Sequence, residues 1–352
     1  MTHPIHPGAW WCWAIGLAAM AARTTNLVIL LLVGVVTGVV ATACRIDGPV
    51  GRSYWLFLRI AVGVVIIRVL LQIVFAPRLG GDALFTIGAV RLPDWMAGIN
   101  IGGPVTTESL MSGLSEGLRL AAILLCFGAV NSVSSPARLV RAMPSVLYEA
   151  GVVTTIALTT APQAVLAAAA IHEGRRLRGR PTSGPAALRG VAVPVLDGAL
   201  DRALAVAASM DVRGYGRVGD DPPPARRHAS IALGVGLLAA AIGIYGVFDP
   251  AAPAALTIVG LTLGTTLLAI GVVTGRAVSV RTRHRSLHWD GRAWLVAASG
   301  IIVVTASIVV GVGDPAALDP SYFPLTTQRV PLLVALGCAV ALIPAFLPQD
   351  RR

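Results

Sequence analysis

Two short arginine-glycine motifs carry the polar chemistry of this chain. The first lies in His172-Glu173-Gly174-Arg175-Arg176-Leu177-Arg178-Gly179-Arg180-Pro181, the second in Ser209-Met210-Asp211-Val212-Arg213-Gly214-Tyr215-Gly216-Arg217. Each closes an apolar, Ala-rich helix candidate with an Arg followed by a Gly. A Gly just past the last turn supplies a left-handed cap, and a cation in that turn opposes the negative end of the helix dipole. An Arg held at such a tip offers a planar fork of donors to carboxylates and carbonyls. The chemistry is docking, not bond-making. Capping and charge account for each motif locally. Two tips together make a two-point device for a partner with two equivalent grooves.

The remaining polar groups are few. Arg59, Arg68, Glu116 and Arg119 stand in apolar runs. Ionisable groups there are costly and tend to be paired. Arg59 sits near a span end and can snorkel. Arg68 and Glu116 lie at similar depth in neighbouring runs, and Glu116 and Arg119 are one helical turn apart. The spacing predicts a structural ion pair. The competing reading is a self-contained secondary transporter that uses Arg68, Glu116 and Arg119 as a buried charge site. His284 and His288 have the i,i+4 spacing of a metal pair, but the surrounding arginines repel a cation, so no metal site is expected. Cys12, Cys44, Cys126 and Cys338 are scattered, with no C-x-x-C pair, which indicates neither a disulfide framework nor a zinc site. No phosphate-binding Gly-rich loop is present, and no cluster has the form of an active site. The expectation is a non-catalytic chain without cofactors.

These residues must be positioned by membrane helices. Of the 352 residues, 55% are hydrophobic and 13% charged, about half the charged share of a soluble domain. The net charge is +11, and every basic residue is Arg. Apolar runs long enough to span, or nearly so, cover Trp10–Ala22, Leu27–Ala43, Tyr54–Phe75, Glu108–Val133, Ile231–Phe248, Leu256–Gly275, Ala293–Val312 and Val330–Leu347. Trp10–Ala22 is short, and a tight turn at Arg23-Thr24-Thr25-Asn26 joins it to the next run. The pattern predicts an all-α polytopic bundle of about eight spans. Gly34-x-x-x-Gly38 and Gly260-x-x-x-Gly264 have the spacing that permits close helix approach.

Loop arginines orient the spans. Arg45/Arg52, Arg138/Arg141, the stretch 172–227, Arg276–Arg292 and Arg351/Arg352 are expected in the cytoplasm. Asp249–Pro253 and Gly313–Gln328, and by alternation Ala76–Thr107, are expected outside. Both termini then face the cytoplasm. Val146–Ile171 is long enough to span but lies between two cytoplasmic stretches. It carries Pro162 and reads as a bent helix pair at the cytoplasmic interface. Further on, Leu196, Leu200, Ala203, Leu204, Ala207 and Met210 form one stripe of an amphipathic helix that ends at Arg213-Gly214. The chain thus divides into N-terminal spans (1–145), an interfacial and cytoplasmic region (146–228) and C-terminal spans (229–352).

The pattern resembles the transmembrane T component of energy-coupling factor transporters, the CbiQ/EcfT-like family. That family has two cytoplasmic coupling helices, each ending in Ala-Arg-Gly, the second reading like A-x-E-A-R-G-Y. The counterparts are Leu177-Arg178-Gly179 and Asp211-Val212-Arg213-Gly214-Tyr215, with Arg175 and Arg176 in support. Leu177 and Val212 replace the family's Ala, and Asp211 its Glu. Glu108–Leu120, Ser134-Ser135-Pro136 and Ala161-Pro162-Gln163 resemble the stretches ahead of the motifs, so the similarity covers roughly 1–217. The resemblance implies that Arg178 and Arg213 insert into grooves of two ATP-binding cassette ATPase subunits. Hydrolysis there would reorient a separate small substrate-binding membrane subunit and bring a vitamin or metal ion inward. It further implies a bacterial inner (plasma) membrane location. No bound nucleic acid is expected, because arginines clustered in inter-helix loops are what membrane topology requires of a chain with this net charge.

Overall fold

The computed structural model describes residues 5–44, 53–75, 83–91, 100–134, 138–139, 142, 148–181, 183–214, 224–249, 252–278, 289–323 and 325–347. It is an all-α polytopic membrane bundle. Its elements are α1 (Pro7–Ala22), α2 (Leu27–Cys44), α3 (Ser53–Phe75), β1 (Ala83–Arg91), β2 (Asn100–Thr106), α4 (Thr107–Val133), α5 (Tyr148–Leu177), α6 (Pro185–Val212), α7 (Pro224–Phe248), α8 (Ala254–Val278), α9 (Gly291–Gly313), α10 (Pro315–Leu318), α11 (Leu332–Val340) and α12 (Ile343–Phe346). Seven of the described helices are long and apolar enough to cross a membrane: α2, α3, α4, α5, α7, α8 and α9. The chain forms two compact units. One comprises 1–142, 236–266 and 283–352, the other 143–235 and 267–282.

The first unit is built around α1. This helix is only 16 residues long, yet most of it is buried, including Trp13, Leu17 and Met20. A helix apolar on every face belongs in a core. His6 caps its start by accepting the Gly8 N–H at Nδ1 (3.1 Å) and stacks on Trp289 (4.8 Å between rings). Against α9, Gly16 meets Gly300 backbone to backbone. A Cβ at either position would overlap the other helix's main chain. Glycine is required there by close approach, which gains dispersion contact along the whole seam.

The last apolar run is a broken helix. Pro344 interrupts it, and α11 and α12 are separate short elements. After the break Ala345 N–H turns to the Leu342 carbonyl, and the Trp13 indole Nε1 donates to the freed Ala341 carbonyl (3.0 Å). The neighbouring Pro344 carbonyl accepts from Cys44 Sγ (3.3 Å). Backbone groups released by a proline at membrane depth need such partners from adjacent helices.

The α1–α2 turn is locked to the segment after α9. The Thr24 hydroxyl and the Thr25 N–H both donate to the Leu318 carbonyl (2.7 and 3.0 Å). Asn26 is fully buried. Its Nδ2 donates to the Ala317 and Arg329 carbonyls (3.1 and 2.9 Å), while its Oδ1 accepts from the Val28 and Ile29 N–H groups and so caps α2. Tyr322 donates to the Thr25 carbonyl (2.5 Å), and burial pushes its phenol pKa up. Arg23 reaches the Val247 carbonyl (3.0 Å); burial lowers its pKa and the Asp249 charge opposes that shift. Residues 23–26, 247–249, 317–319 and 329 therefore share one end of the unit.

Three features differ from expectation. The loop before α4 carries an antiparallel pair, β1 with β2, running from Ala83↔Thr106 to Arg91↔Asn100. It hands over to α4 at Thr106, which accepts the Ser109 N–H (3.2 Å) as N-cap. The alternation in this stretch is interrupted by Gly and Pro, so hydropathy hides it. Next, residues 148–177 are one helix through Pro162, not a bent pair. Ala-rich sequence favours the helix strongly enough to absorb one lost bond. By length and composition 151–177 also counts among the span-capable helices, whereas α1 and the broken α11–α12 fall short. Finally, the two Gly-x-x-x-Gly matches part ways. Gly260 and Gly264 of α8 pack on Gly243 and Ala240 of α7 at backbone contact. Gly34 and Gly38 of α2 meet only side chains, those of Leu125 and Tyr54.

Candidate functional site: two arginine-tipped helices

Both motifs fall in the second unit, and both terminate helices. α5 ends at Leu177. Gly179 adopts a left-handed conformation (φ +66°). The Arg180 N–H returns to the Arg175 carbonyl (3.1 Å), and the Gly179 N–H to Arg176 (3.1 Å). Reciprocal bonds of this kind are the Schellman cap. α6 ends at Val212. Gly214 is left-handed as well (φ +71°), and its N–H donates to the Asp211 carbonyl (2.8 Å). A side chain in that conformation is disfavoured by about 1–2 kcal/mol. The Gly in each motif is therefore set by backbone geometry, and the Arg before it is set at a tip.

Both tips are open. Arg178 and Arg213 are exposed, and Leu177 and Val212 are 81% and 90% exposed. Arg176, Arg180 and Asp211 are exposed too; Arg175 is half-buried. Tyr215 lies outside the described residues, as do His284 and His288. Leu177 and Val212 occupy the positions where the family resemblance has Ala. Two large apolar side chains thus flank the arginines in the open.

The two helices touch over a short length. Gly184 (φ +87°) is the N-cap of α6, with Pro185 in the first turn and Ala187 buried. Gly190 faces Arg175, whose guanidinium occupies the space a side chain at 190 would fill. The same guanidinium donates to the Pro181 carbonyl (3.5 Å). Beyond residue 199, α6 is exposed up to Arg213 except at Met210. The apolar stripe of Leu196, Leu200 and Leu204 is uncovered, at 68%, 59% and 61% exposure. The stripe was legible in the sequence. The Arg175–Gly190 contact was not, although the Gly190/Pro194 spacing marks a soft place in the helix.

The buried-charge candidates lie in the first unit. Arg68 of α3 and Glu116 of α4 form an ion pair with about a third to a half of each side chain exposed. Gly117 lets α3 approach there, Gly113 accommodates Gln72, and Gln72 Nε2 donates to Ser109 Oγ (3.3 Å). Arg119 is half-exposed one turn on. The pairing predicted from depth is present. Among the described residues no group of three His, Cys, Asp or Glu could hold a metal ion. No protein-family model and no curated protein matches the chain.

Proposed function

We propose that this chain is the transmembrane coupling subunit of an energy-coupling-factor-type importer. Arg178 and Arg213 dock into grooves of two ATP-binding cassette ATPase subunits. Leu177, Gly179, Val212 and Gly214 shape the tips. The chain passes ATP-driven motion to a separate small membrane subunit that carries a vitamin or metal ion. The membrane is the inner (plasma) membrane of a bacterium, with both termini in the cytoplasm. One observation carries this reading: two exposed arginines, each fixed on a helix end by a left-handed glycine, on two helices that touch near their connecting turn. A single capped Arg is ordinary helix chemistry. Two in one unit, beside an uncovered apolar stripe, fit a partner that binds at two points. The Arg68–Glu116 pair satisfies both charges within the bundle, which favours a structural role over a transport site.

The test is the chain carrying Arg178→Ala and Arg213→Ala together. Expected is loss of ATPase co-purification and of uptake, with normal membrane insertion and an unchanged elution profile in detergent. Undiminished uptake with ATPases still bound would refute the coupling role.

A further inference from the structure

We infer that Arg175 and Gly190 form the fulcrum that sets the separation of the two arginine tips. The inference rests on the coupling reading for its functional consequence, not for its geometry. Arg175 is the one arginine of the first motif turned inward. Arg176, Arg178 and Arg180 all face out. Its carbonyl accepts the Arg178 and Arg180 N–H groups (3.2 and 3.1 Å), so its backbone fixes the cap that carries the first tip. Its guanidinium bonds the Pro181 carbonyl of the turn and lies on Gly190 of α6. A single residue thus joins the tip of α5, the connecting turn and the flank of α6.

The place it touches on α6 is the helix's weak point. Pro194 has no N–H to give to the Gly190 carbonyl four residues back, so the helix lacks a bond there. Glycine at 190 adds backbone freedom at the same turn. Beyond residue 199 α6 is exposed up to Arg213 except at Met210, so its far half is a cantilever. From Gly190 to Arg213 the helix extends about 35 Å, so a bend of about 10° at the fulcrum carries Arg213 through about 6 Å. Arg175 decides that angle because its bulk rests on the bend. It is a positioning residue: the docking groups are Arg178 and Arg213, and Arg175 sets the span between them. A flexible side chain on a glycine, unlike a backbone seam, lets the angle change when ATPases close and restores it when they open.

The experiment is a distance measurement on the full chain in nanodiscs. Spin labels go on Leu177→Cys and Val212→Cys, with Cys12→Ser removing the exposed native thiol. Arg175→Ala takes away the stop, and Gly190→Leu pushes the guanidinium off. Each is expected to shift the distance distribution or broaden it severalfold. The double variant Arg175→Ala/Gly190→Leu, which refills the lost bulk from the other side, should recover a narrow distribution. In the unlabelled Gly190→Leu variant uptake should fall severalfold while ATPase co-purification stays at the wild-type level. A distribution unchanged in both single variants would overturn the fulcrum. Should the wild-type chain retain no ATPase while Arg175→Ala still broadens the distances, the coupling reading fails and the fulcrum stands. If Arg178→Ala/Arg213→Ala releases the ATPases but neither fulcrum variant moves the labels, the reverse holds.

Discussion

Two glycine contacts separate the two units of this protein. In the first, Gly16 of α1 and Gly300 of α9 meet main chain to main chain, and neither side can yield. In the second, Gly190 of α6 meets the end of the Arg175 side chain, which swings away at little cost. The first contact fixes a frame and the second fixes only a resting angle. Burial follows the same division. α1 is closed in by α4 and α9, whereas the stripe on α6 is open.

Substitutions at the two contacts give the sharpest contrast. Gly300→Leu must force α1 and α9 apart, and overpacking against backbone is expected to cost about 3 kcal/mol or more. The measurement is thermal unfolding in detergent, with loss of the monodisperse species as the extreme result. Gly190→Leu should leave the same melting curve within error. Equal destabilisation by the two substitutions would erase the distinction between frame and lever.

Asn26 carries the next largest effect. Its amide donates to two carbonyls of the segment after α9 and accepts two N–H groups at the start of α2. Asn26→Ala leaves those buried groups without partners, a loss of about 2–3 kcal/mol. The lever has its counterpart in Gly214→Ala, which strains one exposed helix end by about 1 kcal/mol. Global unfolding should register the first and miss the second. Amide exchange around 211–214 should register the second and miss the first.

How much of this was legible in the sequence depends on the range of the interaction. The two Arg-Gly ends were readable, because a C-cap is a local event and its residue types are dictated by φ. Span positions were readable from runs of apolar residues, and the Arg68–Glu116 pair from depth alone. The Asn26 lock was not, since its partners lie some 300 positions away and are mostly backbone carbonyls, which leave no trace in residue type. Gly34-x-x-x-Gly38 and Gly260-x-x-x-Gly264 look alike as strings. Only the second meets small residues on its neighbour, so the motif gains its meaning from the facing helix. Continuity of α5 through Pro162 is the opposite case, in which summed local propensity outweighed one conspicuous breaker.

A smaller effect than that at Asn26 belongs to Tyr322, which ties the end of the frame to the α1–α2 turn by a hydrogen bond to the Thr25 carbonyl. Tyr322→Phe removes that bond and should cost about 1 kcal/mol. Its pH dependence gives a second handle. Burial raises the phenol's pKa above its ordinary value of 10.0, so the folded chain holds the proton more tightly than the unfolded one. The associated stability is complete below about pH 10, the unfolded value, and is lost as pH rises through the folded value. Melting temperatures of wild type and Tyr322→Phe should differ by a constant amount from neutral pH to about 10, and the gap should close above it. A gap that widens with alkali would mean that the phenolate is the favoured form in the fold, and Tyr322 would then anchor a charge rather than close a lock.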